Sequence, residues 1–216
     1  IKPGNITFNE SEETTHYSII DKEGNAVSVT TTLNGSYGSK VYIEDGGYFL
    51  NNEMDDFSSK PGHPNSFGLI GSEANSVEAN KRMLSSMTPT IVLKNKKPSL
   101  IVGTPGGSTI ITSVFQTILN VYEFNMSMQE AVNAPRVHHQ WLPDVVIIEK
   151  DGIDSVQDSI LRSKNYFVVS LPIVSDGPNI RARSSIGKVD AIFIDENGDV
   201  STGADPRGDD HATILK

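Results

Sequence analysis

Two adjacent threonines, Thr14 and Thr15, stand where a polar segment ends and a segment rich in β-branched residues begins. A threonine at a new chain start carries a hydroxyl and a free α-amine on adjacent carbons. The amine, with a reference pKa of about 7.7–8.0, can serve as general base for that hydroxyl near neutral pH. The same pair also fits the ordinary opening of a strand, where threonine is common.

A glycine-rich segment at residues 103–108, Gly-Thr-Pro-Gly-Gly-Ser, lies between a predicted strand and a predicted helix. Consecutive glycines in such a place can turn backbone N–H groups toward one point, beside the positive end of the helix. That arrangement suits an oxyanion or a phosphate equally. An ordinary strand-to-helix turn is the alternative interpretation.

Acids and serines supply two further candidate groups. Glu53, Asp55 and Asp56 follow two asparagines and could bind an ammonium group, although most acidic clusters are solvated loops. Ser85 and Ser86 could donate two hydrogen bonds to a carboxylate. The two serines also fit an ordinary loop that binds nothing.

Several kinds of chemistry are excluded by composition and motif. The 216 residues contain no cysteine, so thiol catalysis and disulfides are ruled out. Gly-x-Ser-x-Gly, the Walker lysine loop and His-Glu-x-x-His are all absent, and the adjacent His138 and His139 point differently on any regular element. A net charge of −9 with no basic stripe argues against nucleic acid, and no apolar run reaches the length of a membrane helix.

The elements that must position these groups form one α/β domain behind a polar tail, residues 1–13. Three hairpins are predicted, at residues 14–21 with 26–32, 90–93 with 99–102, and 189–195 with 200–202. Three helices are predicted, at residues 108–124 with Ser108 as N-cap, from Ser127 to before Pro135, and at 155–163. Two long irregular stretches, residues 35–47 and 51–87, are typical of functional or mobile loops.

Five motifs, in order, carry a resemblance to a known family. They are Thr-Thr-His-Tyr-Ser at 14–18, Thr-Thr-Thr-Leu-Asn at 30–34, Asn-Asn-Glu-Met-Asp-Asp-Phe at 51–57, Leu-Ser-Ser-Met-Thr-Pro-Thr at 84–90 and the glycine segment at 103–108. With Ala-Pro-Arg at 134–136 and Asp-Pro-Arg at 205–207, the chain from Thr14 onward resembles the small subunit of a γ-glutamyltranspeptidase.

The resemblance implies an N-terminal nucleophile hydrolase, with two stacked sheets between helical layers (αββα), of which this chain forms the small-subunit half. Such proteins are made as one precursor that cuts itself before a threonine, which places the cut between Glu13 and Thr14. Residues 1–13 are then expected to be the tail of the large subunit, and residues 14–216 the small-subunit catalytic domain.

Roles for individual residues follow from the resemblance. Thr14 is implied as the nucleophile, and Thr32 as the group that orients its hydroxyl. The donor's α-amino group is implied to be bound by Asn34, Glu53 and Asp56, and its α-carboxylate by Ser85 and Ser86. The oxyanion hole is implied to be formed by the N–H groups of Gly106 and Gly107. Phe67 stands in a lid segment, where relatives with a mobile lid often carry tyrosine.

The implied activity is γ-glutamyl hydrolysis and transpeptidation of glutathione-like donors through a Thr14 ester, without metal or organic cofactor. Water, or the amine of an amino acid or peptide, is the implied acceptor. The large subunit of the same precursor is the implied partner, and the periplasm or cell exterior the implied location. A related acylase or poly-γ-glutamate depolymerase, or an inactive unprocessed fragment, stays open as an alternative.

Overall fold

The structure is a computed structural model that describes residues 14–65, 68–172 and 184–215. The described part contains eleven strands and three helices. The strands are β1 (Thr15–Ile20), β2 (Ala26–Thr31), β3 (Tyr42–Ile43), β4 (Tyr48–Phe49), β5 (Thr90–Lys94), β6 (Lys97–Gly103), β7 (Val137–Gln140), β8 (Val145–Ile148), β9 (Val168–Ser170), β10 (Asp190–Ile194) and β11 (Val200–Gly203). The helices are α1 (Ile110–Tyr122), α2 (Met128–Asn133) and α3 (Ser155–Ser163).

All three predicted hairpins are present: β1–β2, β5–β6 and β10–β11. The turn of β1–β2 is fixed by Asp21, whose carboxylate accepts from the backbone and side-chain nitrogens of Asn25 at 2.8 and 2.7 Å. Gly198, in the turn of β10–β11, has a φ of 89°, a conformation that glycine adopts without strain. Turn chemistry read from the sequence therefore located these strands.

The β5–β6 and β10–β11 hairpins join into one antiparallel sheet of order β11-β10-β6-β5. Successive residues of a strand point to opposite faces, so Val102 and Gly103 at the end of β6 face different layers. Val102 belongs to the main core with residues of α1 and α2. Gly103 lies against His16 of β1. The sheet is thus covered by helices on one face and by the β1–β2 hairpin on the other.

The main core lies between this sheet and the two helices. Its buried members are Leu100, Val102, Val114, Val121, Met128, Ala131, Val132, Val189 and Ala191. One helical layer and two facing sheets give the mixed α and β class that the sequence predicts, as part of an αββα sandwich.

A separate three-stranded sheet, of order β7-β8-β9, is not predicted from the sequence. Strands β7 and β8 are antiparallel, whereas β8 and β9 are parallel and α3 connects them. Val146, Ile148 and Val168 form its small core. These strands have three or four residues each, too short for a period-2 pattern to be recognised.

Helix ends agree with the sequence in two cases out of three. The predicted capping box of α2, Ser127 with Glu130, is formed, and α3 has a similar box at its start. The prediction of Ser108 as N-cap of α1 is wrong. A short 3₁₀ segment, Gly107–Thr109, precedes α1, and the N-cap is Thr109 without a side-chain cap bond. The Thr109 hydroxyl donates instead to Gly106 O at 2.8 Å.

Within the described ranges, no helix is long and apolar enough to cross a membrane.

Candidate active site

Two threonine hydroxyls meet at the open end of the β1–β2 hairpin. Thr14 directly precedes β1 and Thr32 directly follows β2, while Thr15 pairs with Thr31. Because the strands are antiparallel, the two flanking residues lie opposite each other. Thr14 Oγ1 donates to Thr32 Oγ1 over 3.0 Å. The hairpin register therefore gives the Thr14 hydroxyl a fixed orientation.

Thr32 is itself held from its other side. Its Oγ1 accepts a second hydrogen bond, from the backbone N of Asn34 at 2.9 Å. Asn34 has a φ of 72°, a region that asparagine tolerates better than most residues. Asn34 Nδ2 donates to Asn52 O at 3.2 Å, and Asn52 Oδ1 accepts from the N–H of Gly35 at 2.9 Å. These bonds tie the loop after β2 to the segment that carries the acids.

Glu53 and Asp56 begin and end one 3₁₀ turn, Glu53–Asp56. Asn75 Nδ2 donates to Asp56 O at 2.7 Å, which fixes the end of that turn. Burial raises the pKa of Glu53, and the charge of Asp56 raises it further. Burial also raises the pKa of Asp56, while a hydrogen bond from Ser86 opposes that rise. Negative charge is thus disfavoured at both groups, and an ammonium ligand would relieve that cost.

The two serines differ in their contacts. Ser86 Oγ donates to Asp56 Oδ2 at 3.3 Å, so it lies at the acidic turn. Ser85 Oγ donates to Met87 O at 3.2 Å and accepts from Met87 N at 3.3 Å. Hydrogen bonds therefore link Thr14, Thr32, Asn34 and Asn52 in one group. A second group joins Ser86 to Asp56, in the 3₁₀ turn that begins at Glu53, directly after Asn52.

The glycine turn after β6 has an unusual backbone. Gly106 has a φ of 144° and Gly107 a φ of 54°. A Cβ on Gly106 would lie 2.7 Å from Thr109 Oγ1, so a side chain there would both strain the backbone and clash. The turn is braced from outside by the backbone N–H of Lys188, which donates to Thr104 Oγ1 at 2.7 Å. Such a turn, opening a helical segment, is suited to bind developing negative charge.

A buried network of four charged residues was missed as such by the sequence reasoning. Arg136, which is 1% exposed, pairs with Asp205 at 2.7 Å, and Asp205 pairs with Arg207 at 3.0 Å. Arg207 in turn pairs with Glu149 at 2.6 Å. Burial alone would raise the pKa of Asp205, but the charges of Arg136 and Arg207 and two backbone donors hold it below its ordinary value.

This network clamps the segment that braces the glycine turn. Arg136 Nη1 donates to Ile186 O at 2.8 Å, and Ile186 N donates to Glu149 Oε1 at 2.9 Å. Val189 N donates to Asp205 Oδ2 at 2.7 Å. The sequence signals for this network are the Pro-Arg pairs at 135–136 and 206–207 and Glu149, a lone glutamate after an apolar strand.

The adjacent histidines have separate partners, as predicted. His138 Nδ1 lies 2.8 Å from Thr112 Oγ1 in the interior, while His139 Nε2 lies 2.8 Å from Asp144 near the surface. Across residues 14–65, 68–172 and 184–215, no group of three or more His, Asp or Glu side chains is arranged to hold a metal ion.

Three predictions concern positions outside the described residues: the lid position Phe67, the tail at residues 1–13 and the cleavage partner Glu13.

Comparison with known proteins gives consistent results. A family model described as gamma-glutamyltranspeptidase matches residues 2–215. The glutathione hydrolase proenzyme of Escherichia coli (strain K12) is 44% identical over 213 residues, which are 99% of this chain and 34% of that protein. The chain therefore spans about a third of the length of this curated relative.

Solved structures agree with the sequence comparison. A mutant of Helicobacter pylori gamma-glutamyltranspeptidase has 51% identity and a TM-score of 0.79, covering 90% of this chain and 100% of that chain. The Bacillus anthracis transpeptidase enzyme CapD has 23% identity and a TM-score of 0.65, covering 94% of this chain and 99% of that one. At that identity the second likeness shows a shared fold alone.

Proposed function

The chain belongs to the γ-glutamyltranspeptidase family, and from this premise we propose that it is the small subunit of a γ-glutamyl hydrolase and transpeptidase. The observation that carries the proposal is the Thr14–Thr32 hydroxyl pair, 3.0 Å apart, at the start of β1. In the proposed enzyme, cleavage between Glu13 and Thr14 releases the α-amine of Thr14. That amine and its own hydroxyl then form a base and a nucleophile on one residue.

The proposed reaction has two halves. The Thr14 amine takes the hydroxyl proton as Oγ1 attacks the γ-carbonyl carbon of the donor, and the N–H groups of Gly106 and Gly107 stabilise the resulting oxyanion. Collapse breaks the C–N bond, the leaving amine takes the proton, and a γ-glutamyl ester on Thr14 is left. Water or an acceptor amine attacks this ester, giving glutamate or a new γ-glutamyl amide and restoring the hydroxyl.

Donor recognition follows from charge. The raised pKa values of Glu53 and Asp56 support binding of a cation, the α-ammonium group of the donor, with Asn34 as a further partner. Ser85 and Ser86 would donate to the α-carboxylate. Because Ser86 bonds Asp56 in the free site, binding would exchange that bond for one to the substrate. The site thus suits the zwitterionic head of a γ-glutamyl compound.

A large subunit from the same precursor is the proposed partner. Three apolar side chains on the outer face of the β1–β2 hairpin, Tyr17, Ile19 and Val27, are 45%, 52% and 44% exposed. An apolar sheet face of this kind marks a surface for packing. The remaining two thirds of the length of the relative supply a polypeptide that could cover it. We place the assembled enzyme in the periplasm or cell exterior, as the resemblance implies.

Two alternatives are weighed against this proposal. Relatives at 44% and 45% identity carry the name glutathione hydrolase proenzyme, which favours small γ-glutamyl donors over polymers. Comparing hydrolysis of glutathione with that of poly-γ-glutamate separates the two, and preference for the polymer would overturn the proposal. An uncleaved chain would have no free amine on Thr14, and intact-mass measurement distinguishes that inert state.

The decisive test is Thr14→Ala in the full-length precursor. We expect loss of both self-cleavage, seen by intact mass, and turnover of glutathione. Thr15→Ala is the matched control, because Thr15 is exposed and successive residues of a strand face opposite sides, which puts Thr15 on the face opposite to Thr14. It should cleave and turn over normally. Normal cleavage of the Thr14→Ala precursor would refute the assignment of the nucleophile.

A further inference from the structure

His16 is a buried histidine that the proposed reaction does not use. It lies two residues after Thr14 on β1 and is 5% exposed. Its Nδ1 lies 2.8 Å from Thr30 Oγ1 and its Nε2 lies 3.0 Å from Ser18 Oγ. Ser18 Oγ donates to Asp190 O at 3.5 Å. We therefore assign the proton to Nε2, which donates to Ser18, and leave Nδ1 to accept from Thr30.

The imidazole ring of His16 occupies space that is open only because residue 103 is a glycine. A Cβ on Gly103 would overlap Cε1 and Nδ1 of the His16 ring and lie 2.8 Å from its Nε2. The ring therefore lies directly on the backbone of Gly103. Gly103 is the last residue of β6 and pairs with Asp190 of β10. Three residues further on, the glycine turn reaches Gly106.

His16 thus stands between the two halves of the proposed catalytic apparatus. On one side it belongs to the strand that begins beside Thr14, and on the other it rests on the strand that ends in the glycine turn. We propose that His16 is a positioning residue, whose ring sets the separation between the Thr14 hydroxyl and the turn at Gly106 and Gly107. This inference rests on the proposed function.

A role as general base is not compatible with its surroundings. Both ring nitrogens are engaged by Thr30 and Ser18, so neither is left for the Thr14 hydroxyl. Burial lowers the pKa of His16 to about 4, so the ring is neutral over the working range of most enzymes. Its contribution is accordingly one of shape and hydrogen bonding.

A double-mutant cycle in the full-length enzyme tests this role. Gly103→Ala alone should displace the ring and lower kcat for glutathione hydrolysis about 10- to 100-fold, with the donor KM little changed. His16→Ala alone should lower kcat through loss of the spacer. In the His16→Ala background, the Gly103→Ala change meets no ring and should cost less than about twofold. Equal costs of Gly103→Ala in both backgrounds would overturn the proposal.

Two further measurements make the cycle decisive. If Gly103→Ala prevents folding, the yield of soluble, cleaved protein is compared instead, and failure of His16→Ala to restore that yield counts against the proposal. The pH dependence of kcat/KM in the His16→Ala variant should keep its acid limb, because His16 is not the base; loss of that limb would also overturn it. Absence of glutathione turnover in the wild-type enzyme, by contrast, would contradict the proposed function itself.

Discussion

Replacing Thr32 by valine tests the geometry at the centre of the site. Valine has nearly the shape of threonine but cannot accept a hydrogen bond, so the packing after β2 is kept while the acceptor is removed. The Thr32 hydroxyl accepts from Thr14 Oγ1 at 3.0 Å and from Asn34 N at 2.9 Å. Thr32→Val therefore frees the nucleophile's hydroxyl and unpairs one backbone N–H.

The size of the effect follows from those two bonds. Leaving a partly buried donor without its acceptor costs about 1–3 kcal/mol. If the loss of orientation at Thr14 appears fully in the transition state, kcat/KM falls by about 5- to 150-fold. The Asn34 backbone loses its anchor in the same variant. Because Asn34 is a proposed contact of the donor's α-amino group, part of the loss should appear as a higher donor KM.

The assay is hydrolysis of a chromogenic γ-glutamyl anilide by the assembled enzyme, with kcat and KM determined separately. Thr32→Ser retains the hydroxyl and should recover most of the activity. Thr31→Val, on the outer face of β2 that also carries Val27, is the matched control; it keeps the shape of the side chain on an apolar face and should leave both constants unchanged. The reasoning is refuted if Thr32→Val stays within about twofold of the wild type, or if serine does no better than valine.

Two further predictions concern buried charge. Arg136→Met leaves the fully buried Asp205 short of one partner and should lower the free energy of unfolding by about 3–5 kcal/mol, measured by thermal unfolding. Lys94→Met, which breaks an exposed ion pair, is the control; an equal fall in Tm in both variants would contradict the interpretation. For Asp56, burial raises the pKa above its ordinary value, so the carboxyl becomes protonated earlier as the pH falls, and donor binding weakens with it. The donor KM should rise on the acidic side in the wild type, and Asp56→Asn should raise KM at all pH values and reduce that rise, while Glu53 continues to titrate. An unchanged acid limb in the variant would exclude Asp56 as a source of it.

Local patterns in the sequence predicted those parts of the fold that depend on neighbours along the chain. The β1–β2 hairpin follows from a four-residue turn with Gly24, and the start of α2 follows from the Ser127 capping box. The pairing of Thr14 with Thr32 then follows from the hairpin register alone. The β7-β8-β9 sheet could not be predicted in this way, because its strands are short and are stabilised by a connection through α3.

Residue roles that depend on distant partners were beyond local patterns. Arg136 and Asp205 are 69 positions apart, and the Pro-Arg pair at 135–136 does not reveal which residue Arg136 pairs with. Asp56 and Ser86, 30 positions apart, were grouped only by family resemblance, and the structure brings them into contact. The sequence predicts Ser108 as the N-cap of α1 because nothing in it reveals the 3₁₀ segment ahead of the helix.

The contact between the two facing sheets has a polar character that bears on catalysis. Ser28 Oγ donates to Val102 O at 3.1 Å, and Ser18 Oγ donates to Asp190 O at 3.5 Å, where apolar side chains would be expected. Apolar contacts are non-directional, and several positions of one sheet on another have similar free energies. Hydrogen bonds to particular carbonyls, by contrast, select one position, because a displaced hydroxyl would be left buried and unpaired. A hairpin that carries a nucleophile at its first residue gains from this selection, because the two bonds to β6 and β10 hold the hairpin in the position in which the His16 ring rests on Gly103.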